Sequence, residues 1–202
     1  MPTKYQEFKN NLNNEIKSCN RDIADVKLIA ASKYFNAAQI IDLIEQGQKD
    51  FGENRLQDAL PKIEALKKHE INWHFFGHVQ TNKAKKIAEN FSVIHSLDSL
   101  KLAVALDKYC HELDKKIDVF LQVNLAKEEQ KNGYEKLDLI KEIADMHALP
   151  NISILGLMLI TPLDITQNEK QILFKNLKEL MLELNTQNNM CMNKLSMGMS
   201  ED

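Results

Sequence analysis

Apolar residues along this chain of 202 residues recur in two alternating rhythms. Short apolar runs predict strands at 26–32, 49–52, 73–77, 93–96, 118–124, 154–159 and 194–199. The gaps between them carry helical spacing, as in NAAQIIDLIEQG, SLKLAVALDKYCHELDKK and NEKQILFKNLKELMLELN. A leading helix is predicted from residue 4 to about residue 20, where Tyr5, Phe8, Leu12 and Ile16 share a face. Asn36 and Thr81 are expected to cap helix starts, and Gly47 to stop one. Pro61 falls inside a helical pattern and is expected to kink or split it, while Pro150 fits a loop.

Strand-then-helix alternation implies a parallel sheet with helices outside it. The runs DVFLQVN and ISILGLML are almost wholly apolar, as strands covered on both faces are. An open doubly wound sheet and a closed barrel both satisfy the pattern. No GxGxxG or GxxxxGK[ST] supports a nucleotide fold. The unit count favours an α/β chain of the TIM (β/α)8 type, with seven strands present and the final helix and strand eight lacking. The expected organisation is one barrel domain over residues 1–202, incomplete at its C-terminus.

Composition narrows the classes. The chain is 44% hydrophobic and 27% charged, ordinary for a globular domain. A net charge of −3 gives no electrostatic case for nucleic acid or an anionic membrane as partner. Cys19, Cys110 and Cys191 are far apart and odd in number, which argues against a disulfide framework or a zinc site and favours a reducing compartment. With no long apolar run and a polar start, the expected location is cytoplasmic.

Barrels of this class do their chemistry at the C-terminal ends of the strands. The residues there are Ser32-Lys33-Tyr34, Gly52-Glu53-Asn54, Gly77-His78, His95-Ser96, Asn124, Met158 with Thr161-Pro162, and the run SMGMS at 196–200. Lys33 is the sharpest candidate. An amine drawn out of water at a barrel mouth is more easily neutral, and a neutral amine attacks carbonyls. The competing reading is a solvated loop lysine. The SMGMS run offers two hydroxyls and backbone N–H groups to a phosphate, or is simply a tight turn. His74 and His78 would lie about 13 Å apart on a straight strand, too far to share a metal ion. One is expected to be packed and the other to sit at a strand end, and no metal site is predicted.

The stretches KLIAASK, DFGENRLQDA, INWHFFGHVQTNKAKKI, IHSLDS, VFLQVNLAKEEQKNGY, ILGLMLI and KLSMGMSED occur in order from about residue 20 to Asp202. Together they resemble the pyridoxal phosphate homeostasis protein family, also called the proline synthetase co-transcribed homologues. That resemblance implies a monomeric single-domain barrel similar to the N-terminal domain of alanine racemases. It implies pyridoxal 5′-phosphate as cofactor, held by a Schiff base on Lys33, with Asn54 lining the pocket. Ser196, Gly198 and Ser200 fall at the phosphate end. The family is credited with no robust catalysis. Its members are thought to buffer the cofactor and deliver it, which makes pyridoxal phosphate-dependent apo-enzymes the expected partners. The alternatives are a racemase- or decarboxylase-like enzyme acting on amino acids, or an inactive truncated remnant. One departure stands out. The family's closing strand, of the type GSTxVRIGTxIFG with its arginine, has no counterpart here, and the chain's only arginines are Arg21 and Arg55.

Overall fold

Local signals set many of the element boundaries. The computed structural model describes residues 2–126 and 132–199. Its contacts divide the chain into two compact units, Met1–Asn72 and Trp73–Asp202.

In the first unit, helix α1 (Lys4–Ser18) starts with a capping box between Thr3 and Gln6. Strand β1 (Ala30–Ala31) is shorter than its apolar run predicted, because only two of its residues pair with a neighbour: Ala30 opposite Phe51 and Ala31 opposite Gly52, in parallel. Helix α2 (Ala37–Glu45) begins at Asn36 with a second capping box, to Gln39, and the chain turns away at Gly47, whose φ of +88° suits glycine. Strand β2 (Asp50–Glu53) leads into α3 (Leu56–Ala65). That helix runs unbroken through Pro61, contrary to the expected split.

The second unit holds the five strands β3 (Asn72–Phe75, which straddles the unit boundary), β4 (Val93–Leu97), β5 (Ile117–Gln122), β6 (Ile152–Met158) and β7 (Lys194–Ser196). They pair in chain order and in parallel. Helices α4 (Ala84–Asn90), α5 (Leu100–Glu112), α6 (Lys136–His147) and α7 (Gln167–Asn188) connect them. Ser99 caps α5 and Thr166 caps α7, neither singled out from the sequence, whereas Thr81, expected to cap a helix, does not. It opens a 3-10 turn instead, and α4 begins at Ala84 without a side-chain cap. The seven parallel strands alternating with helices are the α/β order the pattern predicted.

The core of the second unit is made by strand residues Ile94, Ile117, Val119, Leu121 and Leu157 against helix residues Leu102, Leu106, Leu139, Ile143 and Leu177, all fully buried. Complete burial of each such side chain contributes about 1.5–3 kcal/mol. Tyr134 ties α6 to this core: its hydroxyl donates to Glu142 Oε2 at 2.8 Å, and the same oxygen accepts from the backbone N–H of Leu100 at 3.1 Å. Burial and that carboxylate both push the Tyr134 pKa up. At Gly156 the β6 and β7 backbones meet so closely that a Cβ would lie 1.7 Å from the Lys194 carbonyl oxygen. The register shifts between Ile94 and Leu97 where β4 pairs with β5, and between Val119 and Phe120 where β5 pairs with β6.

Candidate functional site

Lys33 stands at the corner of a tight turn. The Phe35 N–H donates to the Ser32 carbonyl at 2.9 Å and closes the turn over residues 33 and 34. The Ser32 carbonyl also accepts from Lys62 Nζ at 2.7 Å. Lys62 reaches Glu53 Oε1 at 2.8 Å, and the Ser32 hydroxyl donates to that oxygen at 2.5 Å. Ser32 and Glu53 are fully buried, and the Lys62 side chain is 13% exposed. A buried ion pair therefore grips the two residues that immediately precede Lys33 and Asn54. Lys33 is itself exposed, with Nζ 5.0 Å from the Tyr34 ring centroid, so burial does not supply the dehydration expected at a barrel mouth. Asn54 is half-buried directly after β2.

In the second unit a chain of short hydrogen bonds runs between strand ends. His74 Nδ1 lies 2.8 Å from His95 Nε2, and His95 Nδ1 lies 2.7 Å from Ser196 Oγ. The His95 ring stacks on Phe120 at 4.6 Å between centroids and an angle of 18°. Ser196 ends β7 opposite Met158, and its carbonyl accepts from Leu159 N–H at 3.1 Å. Gly198 adopts φ +93°, a left-handed backbone that favours glycine, and no atom lies within 4 Å of where its Cβ would sit. Ser200, the fifth predicted residue, lies outside the described residues. His74 is the packed histidine anticipated. His78 lies three residues past the end of β3, its side chain 48% exposed, with Nδ1 3.0 Å from Asp98 Oδ2. Among the described residues no three His, Cys, Asp or Glu side chains gather as metal ligands, and no helix is long and apolar enough to cross a membrane.

Burial, and then the neighbouring His74, hold the His95 pKa down to about 3, against 6.5 for a free imidazole. The folded protein thus keeps His95 neutral where the unfolded chain would protonate it. The sign follows from linkage. The stability tied to neutral His95 is complete above pH 6.5 and is lost as pH falls from there towards 3. The expected slope from this one group is up to about 1.4 kcal/mol per pH unit. Denaturant titrations at stepped pH should show a shallower acid slope for His95→Phe. Equal slopes for the two proteins would show that His95 is not the group responsible.

The Glu53/Lys62 clamp and the His74, His95, Ser196 chain were not read from the sequence. Glu53 and His95 stood among the strand-end residues, but nothing in the local pattern marks Lys62, nine residues after Glu53, or His74 and Ser196, 21 and 101 residues from His95, as their partners.

Comparison with known proteins identifies the family and the fold. The family "Alanine racemase, N-terminal domain" matches residues 4–202. The pyridoxal phosphate homeostasis protein of Synechocystis sp. is 43% identical over 178 residues, covering 88% of this chain and 82% of that protein. Its counterpart in Pseudomonas aeruginosa is 39% identical over 186 residues, covering 92% and 79%. Solved structures of PipY from Synechococcus elongatus superpose with TM-scores of 0.86 without PLP and 0.85 with PLP bound. Both are 38% identical, over 94% of this chain and 89% of theirs. An alanine racemase from Clostridium difficile, 15% identical, shares the fold at TM-score 0.71 over 93% of this chain and 52% of its own. The TIM-barrel type expected from the unit count is therefore the fold these relatives share. With this coverage and identity, the chain belongs to the pyridoxal phosphate homeostasis protein family.

Proposed function

We propose that this chain binds pyridoxal 5′-phosphate and takes part in its homeostasis, storing the cofactor and yielding it to apo-enzymes without robust catalysis of its own. It does so as a cytoplasmic monomer, with residues 1–202 serving one binding function. The observation that carries this reading is the corner at Lys33, a primary amine presented on a turn whose first residue is anchored from three sides. An exposed amine suits an aldehyde, and a hydroxyl beside a left-handed glycine suits a phosphate ester, so the residues present fit the cofactor. PipY, solved with PLP bound and 38% identical, supports the same ligand.

In this reading Lys33 supplies the amine that condenses with the aldehyde, releasing one water. Asn54 lines the ring. Ser196, the backbone at Gly198 and Ser200 receive the phosphate. The cofactor contributes an aldehyde for covalent attachment and a conjugated ring that absorbs visible light. Lys62 and Glu53 hold the turn, and His95 holds Ser196.

The test is incubation with pyridoxal 5′-phosphate, borohydride reduction and peptide mass mapping. The label is expected on Lys33, and on no residue of Lys33→Ala. A label on another lysine overturns the assignment, and sustained turnover of an added amino acid overturns the non-catalytic role. Ser196→Ala should weaken pyridoxal 5′-phosphate by roughly tenfold, about one lost hydrogen bond to a charged group, and leave pyridoxal little changed. Equal losses would remove Ser196 from the phosphate.

A further inference from the structure

Lys33 and Glu53 lie at the C-terminal ends of β1 and β2. At the other end of the same strands the first unit holds a cleft of about 240 Å³, room for about eight water molecules at their liquid volume. One wall is apolar, made by Leu12 of α1 with Val26 and Leu28 of the segment leading into β1. The floor is Gln48, 4% exposed and bonded at both ends of its amide. Its Oε1 accepts from the Tyr5 hydroxyl at 2.7 Å, and its Nε2 donates to the Leu28 carbonyl at 3.0 Å and the Asp50 carbonyl at 2.5 Å. One buried amide thus pins α1, the approach to β1 and the start of β2 around the cleft. Gly47 also lines it, and no atom lies within 4 Å of where a Gly47 Cβ would sit, so the entrance is clear there.

The rim is cationic. Lys9, Lys27 and Lys49 line it, against the carboxylate of Asp50. Lys27 Nζ pairs with Asp50 Oδ1 at 3.1 Å, and the same oxygen accepts from Asn72 Nδ2 at 3.1 Å. Lys9 Nζ lies 5.8 Å from the Tyr5 ring centroid, and neither Lys9 nor Lys49 has a carboxylate partner among the described residues. Lys108, Lys141 and Lys175 show the contrast, since on their helices each stands beside a carboxylate three or four residues away. Two unpaired ammoniums next to an apolar wall, on a chain of net charge −3, are a local reversal of sign that attracts anions.

We propose that this cleft is a second binding site, separate from the Lys33 corner, for a small organic carboxylate with a short aliphatic body, about eight non-hydrogen atoms in all. Its carboxylate sits between the Lys9 and Lys49 ammoniums, and its body covers Leu12, Val26 and Leu28. The wall alone would take any apolar molecule and the ammoniums alone any ion. Together they read both ends of one ligand. Bound there, the ligand bridges α1 and the entries to both strands, and so favours the folded first unit. No covalent bond forms. The site stands whether or not the chain binds pyridoxal 5′-phosphate.

The experiment is a titration of the isotope-labelled full chain, read by amide proton–nitrogen NMR, with isocaproate, its neutral amide isocaproamide, acetate and inorganic phosphate. None of these carries an aldehyde or ketone that could condense with Lys33. Isocaproate should shift the amides of Lys27, Gly47 and Lys49 to saturation. It should bind roughly tenfold more tightly than acetate, because four further carbons leave water, and roughly threefold or more above isocaproamide, with the difference shrinking in high salt. Lys9→Gln combined with Lys49→Gln should remove the preference for the acid over its amide, while borohydride trapping of pyridoxal 5′-phosphate at Lys33 stays unchanged. Equal affinity for acid and amide would show a cleft blind to charge and overturn the proposal. Acetate or phosphate binding as tightly as isocaproate would show lysines that collect ions only, and would overturn it too. So would shifts centred away from the cleft, or none up to the solubility of isocaproate. The four-ligand comparison uses the unaltered protein and decides the matter even if the double variant does not fold.

Discussion

Replacing Lys62 with methionine is expected to destabilise the first unit by roughly 3–5 kcal/mol, the usual cost of stripping one partner from a buried ion pair. Glu53 has no exposed surface, and its second oxygen, Oε2, has no hydrogen-bond partner among the described residues. Without Lys62 the carboxylate keeps only the Ser32 hydroxyl. It must then stay charged in a dry place or take up a proton, and either outcome costs stability. The effect should spread to the turn, because the Ser32 carbonyl loses the ammonium and keeps only the Phe35 N–H. Urea unfolding of the single variant measures the first effect, and the rate of borohydride trapping at Lys33 measures the second. Adding Glu53→Gln to Lys62→Met removes the orphaned charge and should recover most of the loss. A single variant costing under about 1 kcal/mol would place this pair with exposed salt bridges and end the argument.

Gly156→Ala is expected to cost roughly 3 kcal/mol, at the upper end for one added methyl. The obstacle is backbone: the new carbon would meet the Lys194 carbonyl oxygen at 1.7 Å, where no rotamer change relieves the clash. Strand β7 must move away from β6. The bonds at risk are those between Leu159 N–H and Ser196 O and between Asn193 N–H and Leu155 O. Faster amide hydrogen exchange at Leu159 would report the separation. Because Ser196 travels with β7, its 2.7 Å contact with His95 should break too, and the preference for pyridoxal 5′-phosphate over pyridoxal should decline. Unchanged exchange at Leu159 would show that the strands can absorb a side chain here.

How much of this was legible depended on how far apart the interacting residues are. The central strands β5 and β6 announced themselves, since burial on both faces forces long apolar runs. The helix starts at Asn36 and Thr166 carry the cap residue and its reciprocal partner within four positions. Thr81 carries the same cap letter, but the chain spends it on a 3-10 turn. β1 was overestimated because hydrophobicity reports burial, whereas a strand also needs a paired neighbour. Lys33 and Asn54 came from the family resemblance and from their place after β1 and β2. Lys62 reads like any solvent-facing helix lysine, since nothing in a helical pattern shows that its ammonium folds back onto Glu53. His95 and Ser196 are 101 residues apart, and only the sheet's register makes them neighbours.

The corner that carries Lys33 also has a bearing on the order of assembly. Its closing bond spans residues 32 to 35, and the capping box beginning at Asn36 spans the next four. Contacts this local involve almost no loop closure and form on the timescale of helix and turn nucleation, well ahead of long-range strand pairing. The turn that carries Lys33 thus begins within about eight consecutive residues, and the contacts of Ser32 with Lys62 and Glu53 fix it only once β2 and α3 have formed.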